Sequence, residues 1–183
     1  MSKSKARILF NLSGSIACYK ACEVVSQLVQ KDCEVKIACT PAALRFVGRA
    51  TLEGLTGRPV FDGLFTPGAA MDHINLNKWA DLCVLCPATA DVLNKMAAGL
   101  GDDAVTALFL AFDFKKPYLV APAMNQAMWA HPATKRSLET LRGWGVDVIA
   151  AGTGRQACGD FGQGRMAEPE DVLAAITWRL EKA

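Results

Sequence analysis

The chain of 183 residues lacks the usual fingerprints of nucleotide-binding proteins. No G-x-G-x-x-G follows its first hydrophobic stretch, where Asn11-Leu-Ser-Gly-Ser-Ile-Ala17 offers only Gly14, and no Walker A loop occurs. The segment expected as the second strand ends Ala38-Cys39-Thr40, without the acid that a NAD site places on the ribose hydroxyls. Lysine and arginine never run beyond two in a row and the formal net charge is +2, too little for the basic footprint of a nucleic-acid binder. No apolar run approaches the ~18 residues of a membrane span. The N-terminal residues are not followed by a signal-peptide hydrophobic region, because residues 8–12 give way at once to Ser13, Gly14 and Ser15. Histidine is scarce, with only His73 and His131, and there is neither an internal repeat nor a low-complexity linker.

What is present is apolar. Hydrophobic residues make up 51% and the mean hydropathy is +0.18. The length suits one domain over 1–183 with a two-sided core, and the excess of apolar residues points to an oligomer with buried subunit interfaces. Seven cysteines without a secretory signal imply free thiols in a reducing cytoplasm. Cys83-Val-Leu-Cys86 has the spacing of a metal or redox pair, yet inside an apolar strand positions i and i+3 point to opposite faces, so no metal is expected. Cys18 and Cys22 fit helix packing.

Hydrophobic runs alternate with helical patterns, which predicts an α/β fold: a three-layer, Rossmann-like (flavodoxin-like) parallel sheet with helices on both faces. Strands are expected at 7–12, 33–39, 82–86, 117–121 and 146–150, with a short extra one within 59–65. Helices are expected at 15–30, from Pro41 onward, and at 90–98, 105–112, 132–144 and 168–182. Residues 67–70 form a loop ahead of His73. Residues 151–166, with five glycines, are expected as a long loop of functional kind.

Candidate chemistry collects at four places. An anion at the turn holding Gly14, Ser15 and Ile16 would meet the free N–H groups of a helix start. Ser13, Ser15 and Thr40 add hydroxyls suited to one terminal phosphate, so a mononucleotide such as FMN fits better than a dinucleotide; the plain alternative is a helix cap. His73 is the side chain best able to exchange a proton near neutral pH, against the ordinary reading of a structural or solvated imidazole. His131 precedes Pro132 and fits an exposed capping position. Asn125 follows a strand end, where ligands bind in open α/β sheets. Its amide can donate to a carboxylate without placing a fixed positive charge beside it. Asn125 would equally well cap the following helix. Met124, Met128 and Trp129 fit a pocket wall. Cys158, alone among the cysteines, sits in a polar glycine-rich segment with Asp160 and Arg165, as a proton donor or an exposed structural thiol.

Four blocks in order, Asp72-His-Ile-Asn-Leu-Asn-Lys-Trp79, Pro87-Ala-Thr-Ala-Asp91, Pro122-Ala-Met-Asn-Gln-Ala-Met-Trp129 and Ala157-Cys-Gly-Asp-Phe-Gly-Gln-Gly-Arg-Met166, resemble the phosphopantothenoylcysteine decarboxylase branch of the homo-oligomeric flavin-containing cysteine decarboxylases. The resemblance implies FMN, its phosphate side held by Gly14, Ser15, Ile16 and Thr40, with Pro87, Ala88, Thr89, Ala90, Asp91 and Ala123 along the ribityl chain and ring. It implies a homotrimer or dodecamer with FMN at a subunit interface and the histidine supplied by a neighbour. It gives Asn125 to the substrate carboxylate beside Met124, His73 to the catalytic base and Cys158, under a lid, to the proton donor. Arg165 is the candidate for the substrate phosphate. In the implied chemistry the S–CH2 unit is oxidised to a thioaldehyde, CO2 leaves, and the enethiol is reduced again by the same flavin.

The implied function is decarboxylation of 4'-phosphopantothenoylcysteine to 4'-phosphopantetheine in coenzyme A biosynthesis, with a phosphopantothenate–cysteine ligase as a separate chain or a fused domain. Oxidative decarboxylation of a peptide C-terminal cysteine is the nearest rival, and Cys158 in its Gly-Arg-Met context favours the first. A flavin prenyltransferase shares the fold but fits the 122–129 block poorly. A phosphatase-inhibiting relative without enzymatic activity would carry long acidic extensions.

Overall fold

The computed structural model describes residues 5–65, 68 and 70–182; Pro67 and Ala69 of the loop expected before His73 lie outside the described residues. Five parallel strands, β1 (Arg7–Leu12), β2 (Glu34–Cys39), β3 (Leu82–Ala88), β4 (Tyr118–Pro122) and β5 (Asp147–Val148), form one sheet in the order β2-β1-β3-β4-β5. All seven residues of β3 are buried, as expected of a central parallel strand covered on both faces. One layer, α1 (Cys18–Gln30), α2 (Arg49–Thr56) and α8 (Pro169–Lys182), packs Val24, Leu28, Leu52 and Ile176 on Val84 and Cys86. The other, α3 (Asp72–Trp79), α4 (Ala90–Ala97), α5 (Ala104–Leu110) and α7 (Pro132–Gly143), packs Leu76, Leu93, Leu108 and Leu141 on Cys83 and Leu85. The three-layer parallel architecture read from the alternation of apolar runs is therefore the one observed.

Cys83 and Cys86 face opposite layers, as the period of a strand demands. Burial pushes the Cys83 thiol up to about 12 and raises that of Cys86 as well, so both stay protonated and inert at neutral pH. All seven cysteines are free, and no metal-binding cluster exists among the described residues. No helix among them is long and apolar enough to cross a membrane.

Several local expectations are corrected. Pro41 leads only to a single 3-10 turn, Ala43–Arg45, and the helix proper begins at Arg49. Of residues 59–65 only Phe61 pairs, in an isolated bridge to Ala38. The expected loop 151–166 is a hairpin, β6 (Gly152–Arg155) against β7 (Phe161–Arg165), with Cys158 in the connecting turn. The short helix α6 (Gln126–Ala130) lies between β4 and α7.

Strand progression reverses between β1 and β3, which opens a crevice above the carboxyl ends of the sheet.

Candidate active site

Two cavities occupy that crevice. The first, about 560 Å³, is lined by Ile16, Lys20, Asn125, Arg155, Cys158 and Arg165 among others. The second, about 590 Å³, is lined by Gly14, Thr40, Thr89, Ala90, Asp91 and Met128 among others. Ser15, Ala123 and Met124 line both and so form the partition between them. Each has the size of a small-molecule site.

The second cavity is built by a tight backbone approach. A Cβ on Gly14 would lie 2.6 Å from the Ala42 Cβ, so only glycine lets the β1–α1 turn rest on the segment after β2. Thr40 Oγ1 accepts from the Ala43 N–H at 3.2 Å, and Ser15 Oγ accepts from the Ala17 N–H at 3.2 Å. Each hydroxyl therefore keeps its own proton to donate to an anion. Ser13, expected to share this task, is committed elsewhere: its hydroxyl donates to the Pro87 carbonyl at 2.7 Å and accepts from the Thr89 N–H at 2.9 Å. The aspartates on the rim are also engaged. Asp91 and Asp102 both pair with Lys95, and Asp103 caps α5. Pro87 and Ala88 are buried in β3 behind the cavity, and Ile16 faces the first cavity rather than this one.

In the first cavity Asn125 caps the following helix and keeps its amide donor free. Its Oδ1 accepts from the Met128 N–H at 2.8 Å, capping α6. The cap fixes the amide plane, and Nδ2 has no partner among the described residues, so this side chain brings a free neutral donor to the cavity wall. Cys158 is exposed, with Sγ 3.4 Å from Asp160 Oδ2 and 3.9 Å from Gln156 Oε1. Its hairpin is anchored on α6: the Met124 N–H donates to the Gly164 carbonyl at 2.9 Å, and the Gln126 N–H donates to Gln156 Oε1 at 3.0 Å.

Gly164 makes this docking possible. Its φ is +115°, and a Cβ there would meet the Met124 carbonyl oxygen at 2.6 Å. Replacing Gly164 with Ala is expected to cost about 1–3 kcal/mol of stability through backbone strain and to lift the hairpin from α6. A lower melting temperature is the expected record.

Charge enters the first cavity from α1 and the hairpin. Lys20, only 7% exposed at its side chain, sets Nζ 2.7 Å from Glu168 Oε2, and Arg165 sets Nη2 2.9 Å from Glu168 Oε1. The hydrogen bond from Lys20, followed by its charge and that of Arg165, holds the Glu168 carboxyl below the usual range against the opposing effect of burial. Arg165, expected at the substrate phosphate, is thus already paired, whereas the Arg155 guanidinium has no ion pair or hydrogen bond among the described residues. Sequence reasoning missed Lys20. The available signal was one cation inside the otherwise uncharged run Ala17-Cys-Tyr-Lys-Ala-Cys22.

His73 stands apart. It lies half-buried in the first turn of α3 and lines neither cavity. Asn77 Nδ2 ties its turn to α5, donating to the His73 carbonyl at 3.1 Å and to the Leu108 carbonyl at 2.7 Å. One chain therefore brings Asn125 and Cys158 together, beside Gly14, Ser15 and Thr40, without the histidine. His131 is exposed and caps α7 through Nδ1, which accepts from the Ala133 N–H at 3.2 Å.

A parallel sheet of this order with a mononucleotide-sized crevice defines a class that comparison makes definite. The flavoprotein family model matches residues 1–181, and the chain belongs to that family. Within it the chain is similar to a PPC decarboxylase, solved as a cysteine-to-serine mutant complexed with pantothenoylaminoethenethiol. That likeness has a TM-score of 0.88 and 33% identity, over 97% of this chain and 100% of the other. The FMN-binding protein AtHal3 matches with a TM-score of 0.86 and 33% identity, over 98% of this chain and 99% of the other. The coenzyme A biosynthesis bifunctional protein CoaBC of Vibrio vulnificus is 45% identical over 170 residues, 92% of this chain. The chain spans 42% of the length of that relative.

Proposed function

We propose that this chain, as one domain over 1–183, is an FMN-dependent carboxy-lyase that converts 4'-phosphopantothenoylcysteine to 4'-phosphopantetheine in coenzyme A biosynthesis. The observation that carries the reading is the joint lining of one cavity by the free amide of Asn125 and the thiol of Cys158, sharing a wall with a cavity suited to a mononucleotide. The likeness to PPC decarboxylase over the whole chain supports the same substrate class.

FMN fits the second cavity on chemical grounds: the cradle at Gly14 and the spare hydroxyl protons of Ser15 and Thr40 suit one terminal phosphate, and the rim aspartates are already neutralised or capping. When bound, flavin supplies the sink for two electrons taken from the S–CH2 unit and later returns them. The protein's own residues do the rest. His73 accepts the proton of the substrate thiol. Asn125 Nδ2 donates to the substrate carboxylate, holding it without a salt bridge, so that breaking the C–C bond releases CO2 and leaves the electron pair in the enethiol. Cys158 delivers a proton to the enethiol carbon in the closing reduction.

Because His73 lines neither cavity of its own chain, the reading places it in the crevice of a neighbouring subunit, within a homotrimer or a dodecamer built from trimers. The CoaBC relatives are bifunctional proteins of more than twice this length, which supports a phosphopantothenate–cysteine ligase acting next to this domain, separate or fused. A biosynthetic enzyme with seven free thiols belongs in the cytoplasm.

The test is to supply purified protein with phosphopantothenoylcysteine and, separately, with a peptide ending in cysteine, and to follow products by mass spectrometry. The expected result is CO2 and fully reduced phosphopantetheine from the first, with FMN and not FAD released on denaturation. Enethiol formed only from the peptide would overturn the substrate assignment.

A further inference from the structure

The Lys20–Glu168–Arg165 cluster presents a physical problem for the proposed reaction. Three cations, Lys20, Arg155 and Arg165, line the cavity that also holds Asn125, yet a cation that meets the substrate carboxylate would stabilise it and oppose CO2 loss. Lys20 is, moreover, badly placed for stability. It is the third residue of α1, where the helix dipole is positive, and its side chain is almost wholly buried. A cation in that position must be matched by a nearby anion. Glu168 provides it from 148 residues away, dividing its two oxygens between Lys20 at 2.7 Å and Arg165 at 2.9 Å. The Arg165 side chain reaches Glu168 across Gly154, where a Cβ would stand 3.1 Å from Nη1.

Building on the proposed decarboxylation, we propose that Glu168 is a positioning residue: it occupies Lys20 and Arg165, two of the three cations of the lining, so that neither competes with the neutral amide of Asn125 for the substrate carboxylate. The carboxylate of Glu168 competes internally with that of the substrate. A purely structural ion pair would make a different prediction, since its loss would weaken binding or folding and would not tighten substrate binding.

The experiment is steady-state kinetics of the holoenzyme with Glu168→Gln and Glu168→Asp, alongside melting curves and flavin content. With Glu168→Gln the freed cations should bind the substrate carboxylate, lowering KM about threefold while kcat falls about tenfold, the signature of a better-stabilised ground state. Glu168→Asp keeps the charge and should return both constants toward wild type. A raised KM, or both constants within twofold of wild type in Glu168→Gln, overturns the proposal. Should Glu168→Gln fail to fold, Glu168→Asp decides, because its withdrawn carboxylate should produce smaller shifts in the same two directions.

A readout without catalysis separates failure of this inference from failure of the decarboxylase reading. Acetylation of Lys20 by an N-hydroxysuccinimide ester, followed by peptide mass spectrometry with exposed Lys135 as reference, should be at least about fivefold faster in Glu168→Gln, because the ion pair that shields the amine is gone. Equal rates mean that Glu168 does not hold Lys20. Faster acetylation in a protein inactive on every cysteine substrate would leave the ion pair standing and remove the reaction from it.

Discussion

Replacing His73 with Asn is expected to leave FMN bound and the fold intact while turnover falls by about 10²–10⁴-fold, the range of a lost general base. The fold should survive because the contacts that hold this turn are made by the His73 carbonyl and by Asn77, not by the imidazole. The placement of His73 outside both cavities adds a second expectation. Co-expression of His73→Asn with Cys158→Ser, each inactive for full turnover, should restore part of the activity, since some crevices would then receive an intact histidine from one chain and an intact thiol from the other. His73→Asn within a few-fold of wild type would make the residue structural. A mixed oligomer with no recovery would place histidine and thiol in the same chain's site.

Cys158→Ser is expected to separate the two halves of the reaction. In the proposed reaction the thiol acts after CO2 has left, so oxidation and decarboxylation should continue while the closing protonation stalls on a far weaker acid. Mass spectrometry should find the enethiol, lighter than phosphopantetheine by two hydrogens, and little reduced product. Cys158 is exposed and meets only Gln156 and Asp160, so the melting temperature should hardly change. Reduced product formed at the wild-type rate would remove Cys158 from the mechanism. Loss of all CO2 release would move its action to an earlier step.

The layered sheet was legible because a parallel strand must be apolar on both faces, and residues 7–12 and 82–86 say so without help from the rest of the chain. β5 was overdrawn because only Asp147 and Val148 form ladder pairs with β4, the Ile149 N–H adding a last bond to the Val120 carbonyl. The β6–β7 hairpin was read as a loop for a different reason. Its glycines at 162 and 164 are there to let it lie against Gln126 and Met124, a tertiary demand that erases the apolar alternation by which strands are recognised. α3 escaped because Asp72-His-Ile-Asn-Leu-Asn-Lys-Trp79 carries few apolar positions and buries only Leu76 and Asn77.

The cavity lining was legible where one residue broke the character of its surroundings: an amide after a buried strand, a thiol outside every core. It was illegible where function depends on pairing. Lys20 and Glu168 have no meaning as neighbours until the fold brings them together. Ser13 misled for the same reason, since its hydroxyl looks available until the β3–α4 turn claims it.

The hairpin that carries Cys158 divides the molecule into parts that can change at different rates. Its base is bound by a main-chain hydrogen bond from Met124, just ahead of α6, and cannot be altered at Gly164 without disturbing the wall that holds Asn125. Its tip, residues 157–160, is exposed and supports no core residue. Under the proposed function, amino-acid changes at the tip, Cys158 among them, would stop the reaction at the enethiol at almost no cost to folding. In an evolutionary sense the chemistry of this scaffold can be edited from its rim inward.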